Sequence, residues 1–206
     1  MLKRLSAATR RRARRKALPR AKLDLSHTQG GTLLPDRLHL LDVMPKGARV
    51  AEIGVAQGNF STQILERCTP QVLHLVDAWH TTRYRPAQAQ VEKRFASEIA
   101  AGQVVLHPGL STDRLPEFAD ASLDWAYIDT DHSYPTTKAE LEICDRVVAP
   151  GGLIAGHDFC TGNTDKPTFY GVVQAVNEFC VTRGWRYRHV TLESGAHFSF
   201  CLERIA

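Results

Sequence analysis

Between residues 49 and 155 the chain alternates short apolar bursts with stretches of helical periodicity, and this rhythm leaves few folds open. The bursts run Arg49 to Ile53, Val72 to Val76, Val104 to His107, Leu123 to Ile128 and Leu153 to Ala155. Helical patterns fall between them at about 60–68, 87–100 and 136–147. Strands alternating with helices predict a parallel sheet covered by helices on both faces. Ahead of the first burst, apolar residues at 38, 41 and 44 mark one face of a short helix that Pro45-Lys46-Gly47 stops. The end of the chain breaks the rhythm. After a helix pattern from about Gly171 to Thr182, two alternating runs, Trp185 to Leu192 and His197 to Leu202, flank Glu193-Ser194-Gly195 and predict an antiparallel hairpin. The expected fold class is α/β, a mostly parallel sheet with a C-terminal antiparallel strand.

A chain of 206 residues, 43% of them hydrophobic, is long enough to bury one substantial core. A single domain is expected over residues 23–206. Residues 1–22 stand apart, with ten Lys or Arg and no acid. The other sixteen bases face 22 acids, so the net charge of +4 divides into a basic segment and a body of −6. Like charges repel and little apolar area offsets ordering, so a disordered tail is expected there. Its field would attract RNA or an anionic membrane surface, and its acid-free, Arg-, Ser- and Ala-containing start also resembles an organelle transit peptide. No apolar run approaches the roughly 20 residues that span a bilayer. The five cysteines, scattered and without a C-x-x-C pair, read as small buried apolar residues in a reducing, cytoplasmic protein.

In an open α/β sheet, ligands bind at the carboxyl ends of the strands, where strand order reverses. The first strand of the rhythm ends in Glu52, and Gly54-Val55-Ala56-Gln57-Gly58 turns from it into a helix. The glycines allow a sharp turn and close approach of backbone to a ligand. The pattern E-x-G-x-x-x-G departs from the pyrophosphate-binding G-x-G-x-x-G, because Ala56 stands at the middle glycine and an acid precedes the turn. A carboxylate there repels a pyrophosphate and suits a cationic ligand. The next strand ends in Asp77, 25 residues after Glu52, close to the spacing at which an acid meets ribose hydroxyls. Glu52, Gly54, Val55, Gly58 and Asp77 together point to a positively charged nucleoside, and AdoMet carries both a sulfonium and an ammonium. Ser111, in the turn after the third strand, is expected to border the adenine, and Trp79 either packs on the nucleoside or belongs to the core.

The densest polar cluster, Asp129-Thr130-Asp131-His132-Ser133-Tyr134, follows the apolar strand ending in Ile128. Residues two apart on extended chain point to one side, so Asp129 and Asp131 would face the same way. Paired acids are costly unless a cation sits between them, although Asp131 also suits a helix cap ahead of Thr136. The following strand ends in His157-Asp158 and brings a third carboxylate to the same edge. Three oxygen-rich side chains fit a hard divalent cation, Mg²⁺ before Zn²⁺. His157 is open to three roles: metal ligand, general base or hydrogen-bonding orienter.

These segments resemble a family. Ala51 to Thr62, Val76-Asp77, Tyr127 to Tyr134 and Pro150 to Phe159 are similar to the small class I AdoMet-dependent methyltransferases that include the macrolide-sugar and aminocoumarin-sugar O-methyltransferases. The resemblance covers about residues 30 to 204 and implies a Rossmann-like fold ending in an inserted antiparallel strand. By position it implies Mg²⁺ ligation by Asp129, Asp158 and, as the third position, His157, with Asp129 bordering the donor as well. It makes Asp131 a candidate base. The chain departs from the family at Thr130, where Gly is common, at Pro135, where an acid is common, and at His157-Asp158, where the metal-using sugar enzymes have two acids. The expected function is O-methylation of a small hydroxylated acceptor, with Tyr84, Arg85, Phe169 and Tyr170 in loops that would line its pocket. RNA methylation through the basic tail and a non-catalytic AdoMet-binding module are the alternatives. Against RNA, the acidic body lacks a basic face interleaved with aromatics.

Overall fold

The computed structural model describes residues 16–81, 84–163 and 168–205, together with Ala13. Most of the expected basic tail therefore lies outside the described residues. In chain order the elements are β1 (Thr32–Leu34), α1 (Arg37–Val43), β2 (Arg49–Ile53), α2 (Asn59–Cys68), β3 (Val72–Asp77), α3 (Arg85–Arg94), α4 (Ala96–Ala100) and β4 (Val104–Pro108). There follow α5 (Ser111–Arg114), β5 (Leu123–Ile128), α6 (Tyr134–Val147), β6 (Val148–Gly156), β7 (Gly162–Asn163), β8 (Thr168–Phe169), α7 (Val172–Arg183), β9 (Trp185–Thr191) and β10 (Phe200–Arg204). No described helix is long and apolar enough to cross a membrane.

The main sheet runs β1-β9-β10-β6-β5-β2-β3-β4. Strands β2 to β6 are parallel to their neighbours, while β10 lies antiparallel between β6 and β9. The expected hairpin is thus β9 and β10, and its second strand enters the sheet next to β6. Strand order reverses between β2 and β5, so the ends of these two strands form the crevice at which such sheets bind ligands.

Period-two alternation explains why both faces are dry. Val50, Trp125 and Tyr127 point to one core, with Leu40, Leu41, Ile64 and Phe95. Ala51, Ile53, Ala126 and Ile128 point to the other, with Leu141, Val176, Phe179 and Trp185. Glu52 shares the phase of Val50 and faces α2. Four cysteines, Cys68, Cys144, Cys180 and Cys201, are free and buried, as small apolar residues would be; Cys160 is half-buried.

Three departures have local causes. The helix expected over 87–100 is broken at Phe95, whose backbone leaves helical values (φ −107°, ψ 26°) as its ring packs into the core. Gly58, in left-handed conformation at φ +74°, makes room for that ring, since a Cβ there would stand 2.9 Å from it. The last parallel strand begins at Val148 instead of Leu153, because Val148 pairs with Leu123 ahead of a bulge in which Gly151 turns at φ +78° before Leu153 pairs with Trp125. Strand β1, three residues at the sheet edge, carries no periodic signal of its own and is held by pairing to β9.

Candidate active site at the strand ends

The turn after β2 is clamped from the neighbouring strand. Asp77 at the end of β3 accepts the Val55 and Ala56 backbone N–H groups on Oδ2, at 2.8 and 2.9 Å, and that of Trp79 on Oδ1 at 2.7 Å. A carboxylate offers about four acceptor positions, so the turn occupies most of them. Trp79 is buried and donates its indole N–H to the Ala56 carbonyl at 2.9 Å. On the other side, Gly54 lies so close to the β5 loop that a Cβ would stand 2.0 Å from the Asp129 carbonyl oxygen. The Asp129 N–H in turn donates to the Ile53 carbonyl at 2.7 Å. Both ends of the turn are thus tied to adjacent strands, which fixes the crevice.

Glu52 forms the floor of this crevice. It is almost fully buried and accepts a hydrogen bond from the Ser61 hydroxyl on α2. Burial pushes its pKa up to about 8; the Ser61 bond opposes the rise, and the charges of Asp129 and Asp77 add to it. A protonated Glu52 at neutral pH has a measurable consequence. A cationic donor bound beside it would favour the carboxylate, so binding at pH 7 should release up to about one proton. Donor affinity should climb as pH rises toward 8 and level off above it, because the ionised form then no longer has to be created on binding. Calorimetry in buffers of different ionisation enthalpy measures this, and Glu52→Gln should remove the dependence. A flat profile in the wild-type protein would rule out charge contact between Glu52 and the donor.

Ser111 begins α5 and donates to Glu140 Oε1 on α6 at 2.5 Å, and Thr130 donates to the other oxygen of that carboxylate at 2.9 Å. Burial pushes Glu140 up to about 7. Ser111 and Thr130 therefore join the loops after β4 and β5 through one buried acid.

Across β5 and β6 lies a mixed cluster of acids and imidazoles. Asp129 has its pKa pushed up to about 7 by burial and by the nearby Asp158 charge. Asp158 is buried between two rings, with His132 Nε2 at 3.1 Å from Oδ2 and His197 Nδ1 hydrogen-bonded to Oδ1. Ligand-type atoms of Asp129, His132 and Asp158 all lie within 4.8 Å of one another, as do those of Asp158, Cys160 and His197. His157 belongs to neither trio: its Nδ1 contacts the Ser199 hydroxyl at 3.0 Å, and Ser199 also meets the Tyr127 hydroxyl at 3.1 Å. Burial lowers the His157 pKa to about 4, with Arg37 adding to the shift, so the ring is neutral at pH 7. Asp131 is exposed and accepts Ser133 N–H at 2.9 Å and the Thr136 hydroxyl at 3.0 Å, the contacts of a residue organising the start of α6.

A family model described as a methyltransferase domain matches residues 51–159, the segment that carries Glu52, the glycine turn, Asp77, Asp129 and Asp158. The chain belongs to this methyltransferase family. Its methyl donor is accordingly AdoMet. No curated protein sequence matches the methyltransferase. Its structure is similar to that of the pyocyanin biosynthetic protein PhzM, with a TM-score of 0.58 at 12% identity over 77% of this chain and 51% of that one. An O-methyltransferase family protein from Burkholderia thailandensis gives 0.58 at 14% identity, over 82% and 55%. The B. subtilis M1A22 tRNA methyltransferase TrmK gives 0.59 at 14%, over 83% and 66%. The chain thus spans about half to two thirds of these structures, and the likeness is one of fold.

Three methyltransferase residues near the cluster carry no signal in the sequence. Arg37, in the first turn of α1, places its guanidinium 3.8 Å from Asp129 Oδ2 and 4.8 Å from the centre of the Phe60 ring. His197 comes from the loop between β9 and β10, and Glu140 from mid-helix. None sits in a motif; each reaches the site through tertiary contact, which local spacing does not encode. Of the expected acceptor-loop residues, Tyr170 stacks near His132 and His197, with ring centres 4.7 and 6.3 Å away. Phe169 lies in β8, and Arg85 opens α3.

Proposed function

We propose that the protein methylates a hydroxyl of a small, polar, sugar-like acceptor, using AdoMet bound by Glu52, Gly54, Val55, Gly58, Asp77, Ser111 and Asp129. The observation that carries this reading is the juxtaposition of Asp129, His132, His157 and Asp158 beside the donor crevice, on the ends of β5 and β6. An alcohol is a poor nucleophile at neutral pH and needs its proton drawn off. The neutral His157 is our candidate for that role: Ser199 contacts the ring at Nδ1, and in the tautomer that carries the hydrogen there Nε2 would accept the proton. Asp131, busy at the helix start, is the weaker base of the two. A divalent ion on Asp129 and Asp158 would supply Lewis-acid help by lowering the hydroxyl pKa. The residues fit a cation, since two partly buried acids this close otherwise repel, and the Asp129 pKa registers that repulsion. Positioning of the hydroxyl in line with the sulfonium methyl supplies much of the remaining acceleration.

RNA is the second reading, favoured by ten basic residues and no acid within residues 1–22. The discriminating experiment supplies the full chain and a chain lacking residues 1–22 with AdoMet, and offers polyhydroxylated small molecules or RNA. Methyl transfer to a sugar-like alcohol by both chains supports the proposal. Transfer confined to RNA, lost with the tail and with a steep salt dependence, would replace it.

A further inference from the structure

We propose that Asp129, His132 and Asp158 form a binding site for a transition ion of the zinc, iron or cobalt kind in preference to Mg²⁺, with His197 bracing Asp158 from outside. This inference rests on the proposed acceptor chemistry only for its use; the site itself stands on geometry. The carboxylate count alone suggested a hard ion. The structure substitutes an imidazole: His157 is turned to Ser199, and His132, one residue past Asp131, points Nε2 at Asp158 Oδ2 from 3.1 Å. Imidazole donors favour zinc, iron and nickel-like ions, whereas Mg²⁺ prefers all-oxygen shells with several waters.

Two further features fit a prepared ion site. His132 and Asp158 both hold left-handed backbone conformations, φ +59° and +53°, which side-chain-bearing residues rarely adopt. His132 is kept there by the Gly171 N–H, which donates to its carbonyl at 2.8 Å, and by Tyr170 packed on its ring. His197 bonds the Asp158 oxygen that His132 does not face. Ligating carboxylates are themselves held by outer hydrogen bonds, and His197 supplies one to Asp158. Three protein ligands would also leave a coordination position open, as catalytic zinc sites do.

Cys160 tests the assignment, because the second trio, Asp158, Cys160 and His197, would bind the same class of ion through sulfur. Full-length protein freed of metal with chelator is titrated with Co²⁺ and followed by visible and near-ultraviolet absorption. The expected result is saturation at one equivalent, visible d–d bands, and no thiolate charge-transfer band. Zn²⁺ should displace Co²⁺, while Mg²⁺ in hundredfold excess should not. His132→Asn, which tolerates the left-handed backbone, should weaken Co²⁺ binding by about 100-fold or more. His197→Gln should weaken it by about 10-fold, the effect of an outer support, and Cys160→Ser should leave it unchanged. Thermal melts establish that each variant is folded, and Asp158→Asn provides a second ligand variant. Absence of Co²⁺ bands, displacement by Mg²⁺, a thiolate band lost in Cys160→Ser, or binding indifferent to His132→Asn would each overturn the proposal. AdoMet titration of the same samples separates the outcomes: donor binding and alcohol methylation by a protein that binds no Co²⁺ would leave the proposed function standing and remove this site alone.

Discussion

Asp158→Ala is expected to lower methyl transfer by about 10³-fold while leaving AdoMet affinity within a few-fold of wild type. The size follows from what the carboxylate touches. It meets His132 with one oxygen and His197 with the other, and its charge acts on Asp129. Its loss removes a proposed cation ligand and the shared partner of two imidazoles, and proton removal or metal assistance is typically worth about 10²–10⁴-fold. Of the residues proposed to hold the donor, Asp77, Glu52 and the turn after β2 are bonded to one another and to Ser61 and not to Asp158. Single-turnover rates of S-adenosylhomocysteine formation, with donor affinity measured separately by calorimetry, check the split. A variant that keeps turnover within about tenfold of wild type would show that the cluster has no part in the chemistry.

Gly54→Ala should be the most damaging substitution of a single methyl group. Its backbone sits at φ +93°, and the added carbon would stand 2.0 Å from the Asp129 carbonyl oxygen and 2.6 Å from its carbonyl carbon. Both partners are backbone at the point where strand order reverses, so relief requires the ends of β2 and β5 to separate. A cost of about 3 kcal/mol or more is expected, together with loss of AdoMet binding. Gly47→Ala is the matched control. It has φ +62° but nothing within 4 Å of the added methyl, so it should cost only the about 1–2 kcal/mol of left-handed backbone. Chemical denaturation of the pair measures the difference; equal losses would mean that crowding at the switch point is not what requires glycine.

The sequence disclosed the acids that end strands and hid the groups that meet them. Glu52, Asp77, Asp129 and Asp158 follow apolar runs, and strand periodicity alone brings them to one edge. The antiparallel strand of the main sheet was readable too, because the Gly-containing turn at 193–195 joins two alternating runs. His197 was not: it reaches Asp158 across 39 residues, only because β10 enters beside β6. Arg37 likewise belongs to a helix whose sequence records amphipathicity but not the strand ends over which it lies. Asp131 is the residue for which the sequence left two roles open, a partner of Asp129 or a helix cap. A D-x-D run predicts two acids on one side of extended chain, and the structure shows Asp131 exposed and accepting bonds from Ser133 and Thr136 at the start of α6.

The position of β10 bears on the order in which the protein is made. Strand β6 pairs on one side with β5, which precedes it, but on the other with residues 200–202, almost fifty residues downstream. Until that segment leaves the ribosome, the edge of β6 beside Asp158 is an unpaired template, and β9 has no link to the parallel strands. Closing such a long loop is a slow step compared with forming the local βα units. The proposed donor half of the crevice, on β2 and β3, can therefore assemble during synthesis, whereas the acid and imidazole cluster at Asp158, which includes His197, is completed later.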